Sequence, residues 1–227
     1  MWDKAEKFLA KDKYIGPLIK KYGHCKIKPR IHVDYFQALI SDIIGQQLSG
    51  RVANVIEGRL KAKIKGRLTP EKVLTLPDQK LRECGMAWAK VRSIKDLATR
   101  VEKRLLHIRS LNKLPDEEVM KELISVKGIG PWTAEMFLMF SLGRGDVFPV
   151  DDLGIRNGMM KLLAAEPPKN RPSRRVRIEP KSREVRSGGG KLLKKDLKPL
   201  EMARFAERWK PYRTVASWYI WSLLDEK

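Results

Sequence analysis

The chain is poor in the residues that several kinds of chemistry require. Only two cysteines, Cys25 and Cys84, occur in its 227 residues. They fit no metal-ligand spacing, and an iron–sulfur cluster needs about four thiolates, so cluster chemistry is excluded and both read as reduced thiols. The three histidines, His24, His32 and His107, match no ligand or triad pattern, which leaves metal catalysis without support. Long apolar runs are missing as well. No stretch approaches the roughly 20 residues that span a bilayer. The opening "MWDKAEKFLAKDKY" interleaves charges where a signal peptide needs an apolar core. These absences predict a soluble protein with no membrane partner, placed in the cytoplasm or a nucleus. Aromatic residues are only 7% of the chain, yet six of them are tryptophan.

Positive charge is what the chain has in excess. Lys and Arg number 48 against 27 Asp and Glu, a net charge of +21. A charge that large repels itself in the compact state unless a polyanion neutralises it, so nucleic acid is the expected partner.

Alternating strand patterns are scarce and the helical period dominates. In "VDYFQALISDIIGQQLS", Phe36, Leu39, Ile40, Ile43 and Ile44 form one apolar stripe. Asp34 stands before it with Gln37 three residues on, a capping-box pattern. Thr69-Pro70 pairs an N-cap with a proline at the first helical position. The start Leu-Pro-Asp occurs at Leu76 and again at Leu114. The expected fold class is all-α, with short helices packed through their apolar stripes. From about 166 to 199 the chain is rich in Pro, Gly, Lys and Arg and nearly free of large apolar residues before Leu192. Such a stretch cannot bury enough surface to offset its ordering entropy, and it reads as a flexible basic insertion that solvates or tethers to phosphate.

In "ELISVKGIGPWTAEMFLMFSL", two helical segments flank Val126-Lys127-Gly128-Ile129-Gly130. Gly128 and Gly130 permit a tight turn, and backbone amides before a helix N-terminus make an anion site. Pro131 suits the first helical turn. The expected phosphate grip comprises Lys127, Gly128, Ile129, Gly130 and Thr133. Its contacts position nucleic acid without reading sequence. Downstream, Asp151 and Asp152 open the next helix, where residue type alone assigns N-capping carboxylates.

The run "LISVKGIGPWTAEMFLMFSLGRGDVFPVDDLGIRNGM" resembles the helix–hairpin–helix, Gly/Pro-rich loop and aspartate signature of the HhH-GPD DNA glycosylases. "ISDIIGQQLSGRVANVI" and "AERWKPYRTVASWYIW" are similar to its alkylation-repair branch, the DNA-3-methyladenine glycosylase II type. The resemblance covers nearly the whole chain outside the basic insertion. It implies two helical lobes with a cleft between them. Residues 36–147 would form a lobe of about six helices carrying the hairpin. Residues 1–35 plus 148–227 would form the other, with the insertion inside it. Larger family members carry an N-terminal β-rich domain, so this chain reads as a minimal version.

The resemblance also implies roles. Asp152 takes the catalytic position, stabilising positive charge on the sugar as the C1′–N bond breaks, and Asp151 supports it. Branches that read Pro-Val-Asp align Asp151 instead. Trp132, Trp221 and Met136 line the base pocket; an indole face attracts a cationic alkylated base, and relatives carry a tyrosine where Met136 stands. Trp221 also fits plain core packing, as Trp209 and Trp218 do, and Trp88 fits either groove contact or core. Gln47, with Leu48 beside it, is the side chain expected to fill the gap left by a flipped base, or else a polar helix end. Bifunctional relatives carry a nucleophilic lysine two residues after the second hairpin glycine. That position is Trp132 here, which implies no Schiff base and no AP-lyase activity.

The implied protein is a monomeric, monofunctional glycosylase that flips and hydrolytically excises 3-methyladenine, 7-methylguanine and related bases from damaged double-stranded DNA. No cofactor is required, although a structural cation on the hairpin carbonyls occurs in the family. The alternatives are a glycosylase of the same mechanism for deaminated or mismatched bases, and a non-catalytic DNA-binding hairpin protein.

Overall fold

Helix starts are written into the chain at several places, and the computed structural model, which describes residues 1–30, 34–164 and 197–225, realises them. Asp34 accepts the amides of Phe36 and Gln37 at 3.1 and 3.3 Å. Its other carboxylate oxygen goes to Arg67 at 2.8 Å. Thr69 caps a later start by accepting Lys72 N–H at 3.4 Å. Each of these side chains satisfies amides that a helix cannot pair internally.

The described residues are helical and contain no strand. In chain order they form α1 (Asp3–Leu9), α2 (Ile15–Tyr22), α3 (Tyr35–Gly45), α4 (Gly50–Ile64), α5 (Pro70–Thr75), α6 (Asp78–Glu83) and α7 (Trp88–Glu102). A 3-10 turn (Ile108–Lys113) leads to α8 (Asp116–Ile124), α9 (Pro131–Phe140) and α10 (Leu153–Ala164). After the undescribed stretch come α11 (Pro199–Ala206), a second 3-10 turn (Glu207–Trp209) and α12 (Arg213–Ser222). No helix among the described residues is long and apolar enough to cross a membrane.

Two apolar cores result. The first runs from Ile27 to Val147 and centres on α3, whose Leu39, Ile40, Ile43 and Ile44 are fully buried against α4, α7 and α9. The second combines Ala5 to Leu18 with Phe148 to Leu223, and contains the fully buried Trp209 and Tyr219. The boundary falls between adjacent residues, Val147 packing in one core and Phe148 in the other. The loop there is bolted to α12. Arg213 pairs with Asp146 at 2.7 Å, and Thr214 Oγ1 accepts Val147 N–H while donating to Arg144 O.

His32 lies outside the described residues, and so does most of the expected basic insertion, residues 165–196. Its far end needs correction: Pro199 opens α11 rather than closing a loop. Proline needs no amide partner at the first helical position, Glu201 reaches back to Lys198 N–H at 3.0 Å, and Met202 and Ala206 bury their side chains. Three short-range signals outweigh the basic composition around them.

Candidate active site

The hairpin is shaped by what lies beneath it. Gly128 sits at φ +81°, and a Cβ there would overlap Ser93 Oγ on α7. Both conditions require glycine. Val126 and Ile129 bury their side chains in the first core. Lys127 N–H is held by Asp96 Oδ2 at 2.8 Å, and Asp96 in turn pairs with Arg100. The side chain of Lys127 is exposed.

This arrangement corrects part of the expected phosphate grip. Ile129 N–H is spent on Val126 O at 3.1 Å, so Ile129 anchors the turn instead of facing an anion. The hydroxyl of Thr133 is buried and accepts Gln46 Nε2 at 3.0 Å. The amides of Gly128, Gly130, Trp132 and Thr133 have no hydrogen-bond partner among the described residues. Those four N–H groups, clustered at the start of α9, are what the hairpin offers an anion. Two of its carbonyls have protein partners: Val126 O takes Ile129 N–H and Gly128 O takes Gln46 Nε2.

Behind the hairpin, the loop after α3 is stretched between two supports. Lys90 Nζ donates to Ile44 O at 2.6 Å and Gln46 O at 2.7 Å, closing the carbonyl end of α3. Burial pulls the pKa of this ammonium below its ordinary value. With Gln46 tied down on both sides, the next residues stand out. Gln47 is exposed at φ +57°, a left-handed conformation that non-glycine residues rarely adopt, and Leu48 is exposed beside it. Trp88, at the first turn of α7 and two residues from Lys90, is 46% exposed, which removes it from the core.

The third component is Asp152. Its Oδ2 accepts Trp132 Nε1 at 2.7 Å. Its Oδ1 accepts Trp221 Nε1 at 2.8 Å and Ile155 N–H at 2.8 Å. One carboxylate thus joins the start of α9, the start of α10 and the end of α12. Asp151 is exposed next to it and takes none of these bonds. A Cβ on Gly154 would press within 2.9 Å of both Trp221 and Asp152, so glycine is needed for the indole to reach the carboxylate. Trp221 packs against both cores, and Phe140 of α9 stacks on it at 6.3 Å between centroids. Trp132 is 39% exposed, Met136 is half-buried one turn further along α9, and Trp218 is half-buried against Tyr219.

Five residues of this region escaped the sequence reading: Gln46, Lys90, Asp96, Phe140 and Glu135. Glu135 and Phe140 could have been found by extending the helical period from Trp132. The other three act across long sequence separations and leave no local signal. Glu135 is the most unusual. Burial, followed by the charges of Asp151 and Asp152, pushes its carboxyl up to about 7.

A superfamily model described as "HhH-GPD superfamily base excision DNA repair protein" matches residues 40–180. A DNA-3-methyladenine glycosylase of Saccharomyces cerevisiae is 32% identical over 96% of this chain and 78% of its own length. DNA-3-methyladenine glycosylase 1 of Schizosaccharomyces pombe is 32% identical over 82% of this chain and 71% of its own. Among solved structures, the S. pombe 3-methyladenine DNA glycosylase in complex with abasic DNA superimposes with a TM-score of 0.75 at 29% identity, covering 98% of this chain and 97% of that one. A DNA-3-methyladenine glycosidase from Bacillus halodurans gives 0.74 at 29% identity, over 97% and 90%. The superfamily match takes in well over half the chain, including the hairpin amides and the aspartate that both indoles grip, and the chain belongs to the HhH-GPD superfamily of base excision DNA repair proteins.

Proposed function

We propose that this protein is a monofunctional DNA glycosylase that extrudes alkylated purines, 3-methyladenine and 7-methylguanine among them, and releases them by hydrolysis. The observation that carries the reading is the clamp on Asp152. A carboxylate offers about four acceptor positions, and the two indoles and Ile155 N–H occupy three, leaving one on Oδ2. The clamp fixes the negative charge in one orientation before substrate arrives. Such preorganised charge lowers the barrier where positive charge develops, here on the deoxyribose as the base departs. The open position on Oδ2 can accept a proton of the attacking water.

The other parts have matching tasks. The free amides at the start of α9 take a backbone phosphate, with Lys127 adding charge. Gln47 and Leu48 enter the duplex where the base has left the stack. The indole of Trp132 stacks on a flipped base and attracts a cationic one, worth about 0.5–2 kcal/mol. Trp132 also stands where a Schiff-base lysine would be required, so the strand is left uncut. Double-stranded DNA carrying damaged bases is the partner, a monomer is the acting form, and neither a cofactor nor a resident cation enters any step.

The test is release of free bases from methylated duplex DNA. Wild type releases methylated purines and leaves an alkali-labile but unbroken strand. Asp152→Asn lowers the rate by at least about 10²-fold, the usual cost of losing a transition-state charge partner. Full activity in Asp152→Asn, or strand cleavage without alkali, overturns the reading.

A further inference from the structure

The loop that carries Gln47 is a turn held in the form its sequence favours less. Gln46 has φ −51° and ψ 127°, Gln47 has φ +57°, and Leu48 N–H donates to Gly45 O at 3.1 Å. These values describe a type II β-turn over residues 45–48, whose third position calls for glycine or asparagine. Glutamine there carries left-handed strain. Rotating the peptide between Gln46 and Gln47 would convert the turn to type I, give Gln47 a negative φ and relieve that strain. The same rotation would carry Gln46 O to the opposite side of the turn. Lys90 Nζ holds that oxygen at 2.7 Å and is itself fixed to α3 by Ile44 O at 2.6 Å. Gln46 O has no other hydrogen-bond partner among the described residues. The side chain of Gln46 ties the turn to the hairpin, donating to Gly128 O and Thr133 Oγ1. One face of α7 supports the whole assembly at intervals of three residues: Lys90 under the turn, Ser93 against Gly128 and Asp96 on Lys127 N–H.

We infer that Lys90 is a positioning residue for base extrusion: by holding Gln46 O it locks the turn in its type II form and aims the Gln47 side chain at the duplex. This rests on the glycosylase reading and assigns the residue that controls its plug. A plug acts only if it meets the gap while the base is out of the stack. A turn free to flip would present Gln47 correctly in only a fraction of the molecules, and the rate of extrusion would fall by that fraction. Because α7 carries both the turn and the hairpin, the lock also fixes the spacing between the plug and the amides that take a phosphate. Lys90 reaches neither base nor sugar in this role and acts through Gln46 and Gln47. An ammonium has three N–H donors, and the two carbonyls use two of them. Methionine in its place keeps a long unbranched side chain and removes every donor.

The experiment measures single-turnover release of 7-methylguanine from duplex DNA by wild type, Lys90→Met, Lys90→Arg, Gln47→Ala and the double variant Lys90→Met with Gln47→Ala. Each of Lys90→Met and Gln47→Ala slows release by about tenfold. The double variant is no slower than Gln47→Ala alone, since a plug that is absent cannot be misaimed. Lys90→Arg keeps N–H donors on a long side chain and retains most of the rate. Melting of Gln47→Gly and Gln47→Ala, both with Lys90 in place, tests the turn itself. The glycine variant melts higher by about 1–4 °C, because only alanine carries left-handed strain there. The assignment is overturned if either single variant keeps the wild-type rate, if the two losses multiply to about a hundredfold in the double variant, or if Gln47→Gly melts no higher than Gln47→Ala. The melting comparison leaves Lys90 untouched, so a Lys90→Met protein that failed to fold would not protect the proposal. A wild type that releases no 7-methylguanine would instead refute the glycosylase reading itself.

Discussion

Asp152 and Glu135 are chemically similar groups, and their surroundings separate them. The two indoles that grip Asp152 are part of its site, so their bonds cost little extra ordering. Burial of Glu135 works against its charged form, with a consequence for stability. Its pKa is about 7 in the folded chain against an ordinary 4.5. Between those values the folded state retains a proton that the unfolded state has released, so stability falls as pH rises. The contribution is fully present below pH 4.5 and has been lost above about 7. Glu135→Gln should therefore melt higher than wild type at pH 8 and equally at pH 4.5. Allowing for the solvent that still reaches the group, the gain at pH 8 is on the order of 1 kcal/mol, or about 2–4 °C. Thermal melts at the two pH values check this; an equal difference at both would refute it. Asp152 was legible in the sequence because a motif of ordered letters surrounds it. Glu135 was not. A glutamate in a helix looks like solvated surface until tertiary contacts decide otherwise.

At the scale of elements, the hairpin divides its glycines between folding and binding. Gly128 is constrained twice, by a backbone angle of +81° and by Ser93 beneath it. Gly130 has φ −96°, and a Cβ there meets nothing within 4 Å. Gly128→Ala should therefore destabilise the fold by about 1–3 kcal/mol, through left-handed strain and displacement of Ser93. Gly130→Ala should leave the melting temperature within about 2 °C, since its conformation suits alanine. It should nevertheless weaken binding to an abasic duplex, because the methyl occupies the approach to the free amides. Calorimetric melting and duplex titration separate the two effects. Equal destabilisation by both variants would show that the turn is not built as described. The helix starts at Asp34, Thr69, Pro77 and Pro115 were readable because each cap is local. The tethers Gln46, Lys90 and Asp96 were hidden, since each links a side chain to backbone that is distant in sequence. The glycine pattern indicated a turn but not which amides it leaves free, hence the reassignment of Ile129 and of the Thr133 hydroxyl.

Across the whole molecule, the two cores meet where the chemistry is needed. Val147 and Phe148 send the chain from one core to the other, and four residues later Asp152 receives indoles from helices that belong to different cores. The Arg213–Asp146 pair and the Thr214 bridge hold that crossing to α12, so the Trp221 side cannot shift without the loop that carries Asp152. A rigid seam of this kind positions an extruded nucleotide, while the net charge of +21 supplies the attraction for the rest of the duplex. These two contributions can be measured apart. Each phosphate neutralised by a cationic side chain contributes about −0.9 to the slope of log affinity against log salt concentration. Lys127 is exposed at the hairpin and forms no ion pair among the described residues. Lys127→Ala should reduce the steepness of the slope for an abasic duplex by about 1, leave the melting temperature unchanged and weaken binding alike on different sequences. Titrations at several salt concentrations check it. An unchanged slope would mean that the hairpin holds phosphate through its amides alone and that the side chain of Lys127 points away from DNA.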